Sequence, residues 1–210
     1  YGLCESARED VRTAHDVANP GCFATAIQLA TLPLAAAGLI SDEIHVTAIT
    51  GSTGAGKKPG ETTHFSYRSD NISIYKLFTH QHLAEIKQNL VRVELQNQAP
   101  VDSPELADTL RAETPAPVVN FVPLRGDFAR GIFASVYTRA VEGMSEADYR
   151  KIFEDYYLGD NVYFRLKQAY LAYVAKQYVV EGRIVDSIVF EIIANECDKK
   201  EKEYLKNEFK

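Results

Sequence analysis

The run Val17–Pro33, VANPGCFATAIQLATLP, decides how the rest of this chain is to be read. It reads as a strand or loop end turning into a helix. Asn19 suits the cap, Pro20 the first helical position, and Phe23–Ala37 is rich in Ala and Leu. Pro33 is expected to kink that helix or restart it, because proline lacks an amide proton and its ring crowds the preceding turn. Gly38 closes the helix, and Glu43–Thr50 (EIHVTAIT) follows with the β-branched content of a strand. Cys22 falls in the opening turn, where unpaired backbone N–H groups and the positive end of the helix dipole suit an anionic sulfur. Gly21 before it lets a ligand approach closely. The competing reading is a small buried hydrophobe, the commonest role of a free cysteine.

Working outward, Gly51–Gly60 (GSTGAGKKPG) is a long glycine-rich loop. It satisfies G-x-x-x-x-G-K, but Lys58 stands where a nucleotide hydrolase needs Ser or Thr, and Pro59-Gly60 prevents the helix that such a loop must open. A loop whose amides, from Ser52 and Gly54 onward, face some anion remains reasonable. Asn71–Leu77 is a plausible strand. Gln81–Leu90 has helical spacing at Leu83, Ile86 and Leu90. His80-Gln81-His82 stands at the start of that helix with Glu85 one turn on. Histidine supplies proton donors and acceptors near neutral pH, and Glu85 can orient an imidazole. Two surface histidines are the alternative, and a metal set of His80, His82, Glu85 and His64 lacks any standard zinc spacing.

Asn97–Pro117 holds four of the eight prolines and reads as a surface insertion. Val118–Pro123 and Gly131–Arg139 look like strands, and Met144–Tyr157 like a helix. After Gly159 the texture changes: Tyr163–Val180 has apolar residues at close helical intervals, and Asp198–Lys210 alternates Lys and Glu like a solvated helix end. The division expected is residues 1–158 and a divergent, mainly helical segment 159–210. The six tyrosines from Tyr156 to Tyr178 read as packing.

The 210 residues, 46% hydrophobic and 25% charged, suit a soluble globular domain. The longest apolar stretch, Phe23–Ile40, is interrupted by Gln28, Thr25, Thr31 and Pro33, so no membrane span is expected. A formal net charge of -6 argues against nucleic acid as a partner. Three irregularly spaced cysteines (Cys4, Cys22, Cys197) suit a reducing cytoplasm and fit neither a disulfide framework nor zinc. The chain begins at Tyr1, which reads as a trimmed, processed or partial sequence.

Val17–Pro33 closely resembles the active-site stretch of N-acetyl-gamma-glutamyl-phosphate reductases, a Pro-Gly-Cys-aromatic-x-Thr core ahead of a helix, departing at Thr31. Tyr1-Gly2-Leu3 resembles that family's entry into the domain, with Cys4 replacing proline. Thr50–Gly56 resembles its glycine loop. His80–Ile86 (HQHLAEI) resembles its H-x-H-x-P-E-I motif with Ala84 for proline, and Phe121–Tyr137 its R-G-I strand region. These matches cover residues 1–158.

The resemblance implies an α+β domain: a mixed, mostly antiparallel sheet with helices on one face, as in the C-terminal catalytic domain of glyceraldehyde-3-phosphate-dehydrogenase-like reductases. It implies Cys22 as nucleophile on an acyl phosphate, His80 as proton relay, and His82 and Glu85 positioning the histidine or the substrate. Arg125, Arg130, Ser52 and Gly54 are candidates for holding phosphate or carboxylate. It also implies NADP(H), on a fold that precedes this part. No G-x-G-x-x-G follows a strand here, so the isolated chain is expected to be inactive. The family's closing I-D-N-L-x-K-G-A-x-G-Q-A segment is not found. A related aspartate-semialdehyde-type reductase, or a non-catalytic acyl-phosphate-binding domain that oligomerises with itself, are the alternatives.

Overall fold

A computed structural model describes residues 1–40, 43–98, 115–157, 172–180 and 183–194, the last two segments as backbone strands. The chain opens with α1 (Cys4–Thr13), kinked at Ala7, and passes through an extended link to α2 (Cys22–Ala36). β1 (Ile44–Thr50) is followed by the short turns Ser52–Ala55 and Glu61–Thr63, α3 (Phe65–Arg68) and the two-residue strand β2 (Ser73–Ile74). Then come α4 (His82–Gln98), β3 (Val119–Arg125), β4 (Ile132–Arg139), α5 (Glu146–Tyr156), β5 (Ala172–Val180) and β6 (Arg183–Ala194).

The strands form one six-stranded sheet in the order β2-β3-β1-β4-β6-β5. Among the described residues only β1 and β3 pair in parallel; every other neighbouring pair is antiparallel. The sheet is therefore mixed and mostly antiparallel, as expected. Its inner face is set by alternation: Ile44, Val46 and Ala48 of β1, Val119 and Phe121 of β3, and Ala134 and Val136 of β4 are buried together against the helices. The interleaved residues His45, Thr47 and Tyr137 face outward.

α2 is the central helix, buried along almost its whole length from Phe23 to Ala35. The helix does not restart at Pro33 but runs through it to Ala36, and a compensating contact is visible. Pro33 cannot donate to the carbonyl of Leu29, one turn earlier, but the hydroxyl of buried Tyr157 donates to that oxygen at 2.7 Å. The helix start also differs from expectation: Gly21 is the cap and Cys22 the first helical residue, while Asn19 and Pro20 stay in the extended link. Asn71–Leu77, read as a strand, forms only the two pairs of β2.

The largest correction concerns the C-terminal part. Of the stretch Tyr163–Val180 read with helical spacing, Ala172–Val180 is strand β5, paired to β6, which in turn pairs with β4 over eight residues, Ile132–Arg139; residues 163–171 lie outside the described residues. A hairpin added to an existing sheet alternates apolar residues as well, and a short apolar run does not separate the two periods. The expected boundary near Gly159, the acidic-basic tail from Asp198 and most of the proline-rich insertion lie outside the described residues.

Candidate active site

Parallel strands β1 and β3 both end at the same place, with Thr50 and Gly51 beside Arg125. Helices α2 and α4 begin there, running side by side in the same direction: Gly21 meets Glu85 at their starts, and Gln28 meets Asn89 further along. A cleft of about 260 Å³ opens at this junction. It is lined by Cys22, Phe23, Thr50, Gly51, Gly54, Ala55, Tyr75, Lys76, His80, Gln81, His82 and Arg125. The lining carries two permanent cations and no carboxylate, so it favours an anionic ligand.

Cys22 is exposed to the cleft from the first turn of α2. The residue before it leaves no space for a side chain unless the His82 ring moves. A Cβ at Gly21 would lie 2.1 Å from His82 Nε2, although its φ of -68° suits any residue. The group approaching Gly21 closely is therefore the chain's own imidazole.

His80 and His82 stack edge-on at 4.5 Å. His80 is buried against Phe23, Phe121 and Tyr75, with ring separations of 5.5, 5.4 and 5.7 Å. Its Nδ1 accepts from the His82 amide at 3.2 Å, capping α4, so in the neutral ring the proton sits on Nε2. Burial, with the nearby His82 and Lys76 charges, lowers its pKa from 6.5 to about 4. His80 is therefore a neutral imidazole at pH 7. The pKa of His82 is also lowered, by burial first, against an opposing pull from Glu85.

Glu85 does not bond the imidazole directly. Its buried carboxylate accepts from the Gly21 amide at 3.1 and 3.3 Å and lies 3.9 Å from His82 Nε2. It thus holds the backbone just ahead of Cys22. Arg125 lines the cleft, lies 4.5 Å over the Tyr75 ring and donates to the Thr62 hydroxyl at 2.7 Å.

Of the sequence candidates, Cys22, His80, His82, Gly54 and Arg125 meet around the cleft, and Glu85 stands behind it. Ser52 does not line it. The amides of Gly51, Ser52 and Thr53 donate to Gly131, Phe128 and Ala129 carbonyls at 3.0, 2.9 and 3.0 Å, so these three N–H groups bind no anion. Gly51 is needed for this docking, since a Cβ there would lie 2.7 Å from the Ala129–Arg130 backbone. Arg130 is exposed and off the lining. His64 caps α3 instead of joining a metal set, its Nδ1 accepting from the Ser66 amide at 3.3 Å. Among the described residues no three His, Cys, Asp or Glu cluster as a metal site.

Sequence reasoning missed Tyr75, which sits between Arg125 and His80 and whose pKa is raised, chiefly by burial. It also missed the turn that delivers His80, where Lys76 and Phe78 adopt left-handed φ of 46° and 55°. Neither residue type signals such a conformation. A third omission is Cys4, which also opens a helix, so a helix start does not by itself set Cys22 apart.

Residues 22–188 match the family described as semialdehyde dehydrogenase, dimerisation domain. The match runs from Cys22, the first residue of α2, into β6. The N-acetyl-gamma-glutamyl-phosphate reductase of Parabacteroides distasonis is 48% identical over 157 residues, covering 75% of this chain and 42% of that protein. The protein of the same name from Phocaeicola vulgatus is 47% identical over 161 residues, 77% of this chain and 44% of that protein. The chain therefore spans less than half the length of these relatives. Among solved structures, aspartate semialdehyde dehydrogenase II from Vibrio cholerae superposes with a TM-score of 0.55 at 15% identity, over 92% of this chain and 62% of that one, a likeness of fold. The family match covers most of the chain, and the chain belongs to the semialdehyde dehydrogenase dimerisation-domain family.

Proposed function

We propose that this chain is the thioester-forming part of an NADPH-dependent reductase that converts N-acetyl-L-glutamyl 5-phosphate to N-acetyl-L-glutamate 5-semialdehyde and phosphate, a step of arginine biosynthesis in the cytoplasm. The observation that carries the reading is an exposed Cys22 opening a central helix into a cleft that holds two histidines, Lys76 and Arg125 and no acid. The names of the relatives supply the substrate.

In this reading the Cys22 sulfur attacks the acyl carbon, the carbon–oxygen bond to phosphate breaks, and a thioester remains on Sγ while phosphate leaves with the electron pair. Arg125 and Lys76 balance the anionic group. Neutral His80, with its proton on Nε2, donates a hydrogen bond to the developing oxyanion, the role open to an imidazole whose pKa has been pushed down. His82, over Gly21, holds the neighbouring position for the thiol proton.

A nicotinamide cofactor would supply the hydride of such a reduction. The described residues do not fit that cofactor. The glycine run after β1 opens no helix of a dinucleotide fold, and three of its amides are engaged by the 128–131 loop. We therefore assign the cofactor to the part of these relatives that the present chain does not span. No described helix is long and apolar enough to cross a membrane. The family's dimerisation role favours pairing with a second copy.

The test is intact-mass measurement of Cys22 acylation by an acyl phosphate beside a 340-nanometre NADPH assay, with Cys22→Ser as control. Acylation without NADPH oxidation is expected. Sustained NADPH oxidation that Cys22→Ser abolishes would place a cofactor site on this chain. Absence of any adduct would leave the non-catalytic binding domain as the better description.

A further inference from the structure

Three polar residues of α4 reach from it to α1 and to the start and middle of α2. Glu85, Asn89 and Arg92 follow one another at helical spacings of four and three residues, and each reaches a different part of the chain around the nucleophile. Glu85 accepts from the Gly21 amide at the start of α2. Asn89 Nδ2 donates to Gln28 Oε1 two turns into α2, both side chains fully buried. Arg92 donates to the Ser6 carbonyl of α1 and pairs with Asp10 at 3.0 Å. The link Ala14–Gly21, which leads directly to Cys22, is thus gripped by α4 through α1 on one side and α2 on the other. α4 itself begins at His82.

A buried Asn–Gln pair is not the most stabilising choice for such a position. Two apolar side chains of similar shape would do as well, and here the Gln28 Nε2 and Arg92 Nε atoms are left without a hydrogen-bond partner. What a polar pair adds is register, since sliding one helix past the other by a single residue, about 1.5 Å, breaks it, whereas an apolar contact tolerates the slip. Register matters because Cys22 rides on α2 while the imidazoles ride on the start of α4.

We propose that Asn89 with its partner Gln28, and Arg92 with Asp10 and Ser6, are positioning residues that hold Cys22 in reactive register with His80 and His82. This rests on the reading of Cys22 as the nucleophile, and the experiment separates the two ideas. In the full 210-residue chain, Gln28→Leu with Asn89→Leu removes the pair and keeps the volume. Three quantities are read: thermal unfolding, the rate at which Cys22 takes iodoacetamide or acetyl phosphate, and the NMR titration of the His82 imidazole.

The positioning role predicts an unfolding temperature equal to or above that of the parent, with Cys22 reacting about ten- to a hundredfold more slowly, because misplacement of about 1 Å costs that much. It also predicts a His82 titration moved up toward the ordinary value, as its ring loses the cover of Gly21. Arg92→Met, which keeps the aliphatic stem, is the second variant and is read in the same way if the leucine pair does not fold. The exchanged pair Gln28→Asn with Asn89→Gln, which restores the hydrogen bond, should recover the parent rate. Folded variants with the parent's reactivity and the parent's His82 titration overturn the proposal. If the parent itself takes no acetyl group from acetyl phosphate, the thioester reading fails, while iodoacetamide and the imidazole titration still decide the positioning.

Discussion

Replacing Gly21 by alanine is the sharpest single perturbation of the site, because its consequence can be worked from coordinates already described. The backbone at Gly21 is extended, with φ -68° and ψ 155°, so alanine costs nothing in conformation. The new methyl would stand 2.1 Å from His82 Nε2 and 2.5 Å from Cδ2 and Cε1. Moving the nearest ring atom from 2.1 to 3.4 Å needs a retreat of about 1.3 Å. The ring has little room to give, with His80 centred 4.5 Å away and Phe23 6.3 Å away. Overpacking of this kind destabilises by about 1–3 kcal/mol, which lowers Tm by about 2–4 °C per kcal/mol in a chain of this size. The chemical effect is larger. A histidine displaced by more than about 1 Å should slow acyl transfer to Cys22 about a hundredfold. The assay is stopped-time intact-mass detection of the Cys22 adduct with acetyl phosphate, beside a thermal melt. A Gly21→Ala chain that melts with the parent and acylates at the parent's rate would refute the claim that His82 occupies the space over Gly21.

The other expectations are narrower. Tyr157→Phe should cost about 1 kcal/mol, since it leaves the part-buried Leu29 carbonyl without this donor, and Pro33→Ala in that background should recover most of it; additive losses in urea melts would contradict the coupling. Stability should fall as pH drops from 6.5 toward about 4. His80 has its folded pKa lowered, so the unfolded chain binds the extra proton in that window, and stability is complete only above it. His80→Asn should flatten that part of the pH–stability curve, and an unchanged curve would count against the buried neutral ring. Cys22 and Cys4 are both exposed first residues of helices, yet Cys22 should take iodoacetamide faster because only it lines the cationic, histidine-bearing cleft. Equal labelling by peptide mass mapping would show that these neighbours do not activate it.

What could be read from the residues alone divides along a physical line. The cysteine-headed helix, the strands around Ile44–Thr50, Val119–Arg125 and Ile132–Arg139, and the helix after His80 are carried by local periodicity, and the structure places each within a residue or two of its reading except for the helix end at Gln98. The errors fall where a distant partner overrides local preference. Pro33 sits inside a continuous helix, and Tyr157, far along the chain, supplies the donor to Leu29 that proline lacks. The run through Val180 becomes a strand because β6 pairs with the free edge of β4, a choice no single-segment pattern contains.

The site follows the same rule. Cys22, His80 and His82 are recognisable by type and spacing, but the crowding at Gly21 comes from an imidazole at the start of another helix. Glu85 was expected to serve that imidazole by proximity in sequence, yet its bonds go to the Gly21 amide. Asn89 and Arg92 gave no signal at all, being ordinary helical positions until α1 and α2 are laid beside them. Residue type therefore identifies which groups can do chemistry, while the groups that aim them are found only by asking what each buried polar atom on the neighbouring helix is bonded to.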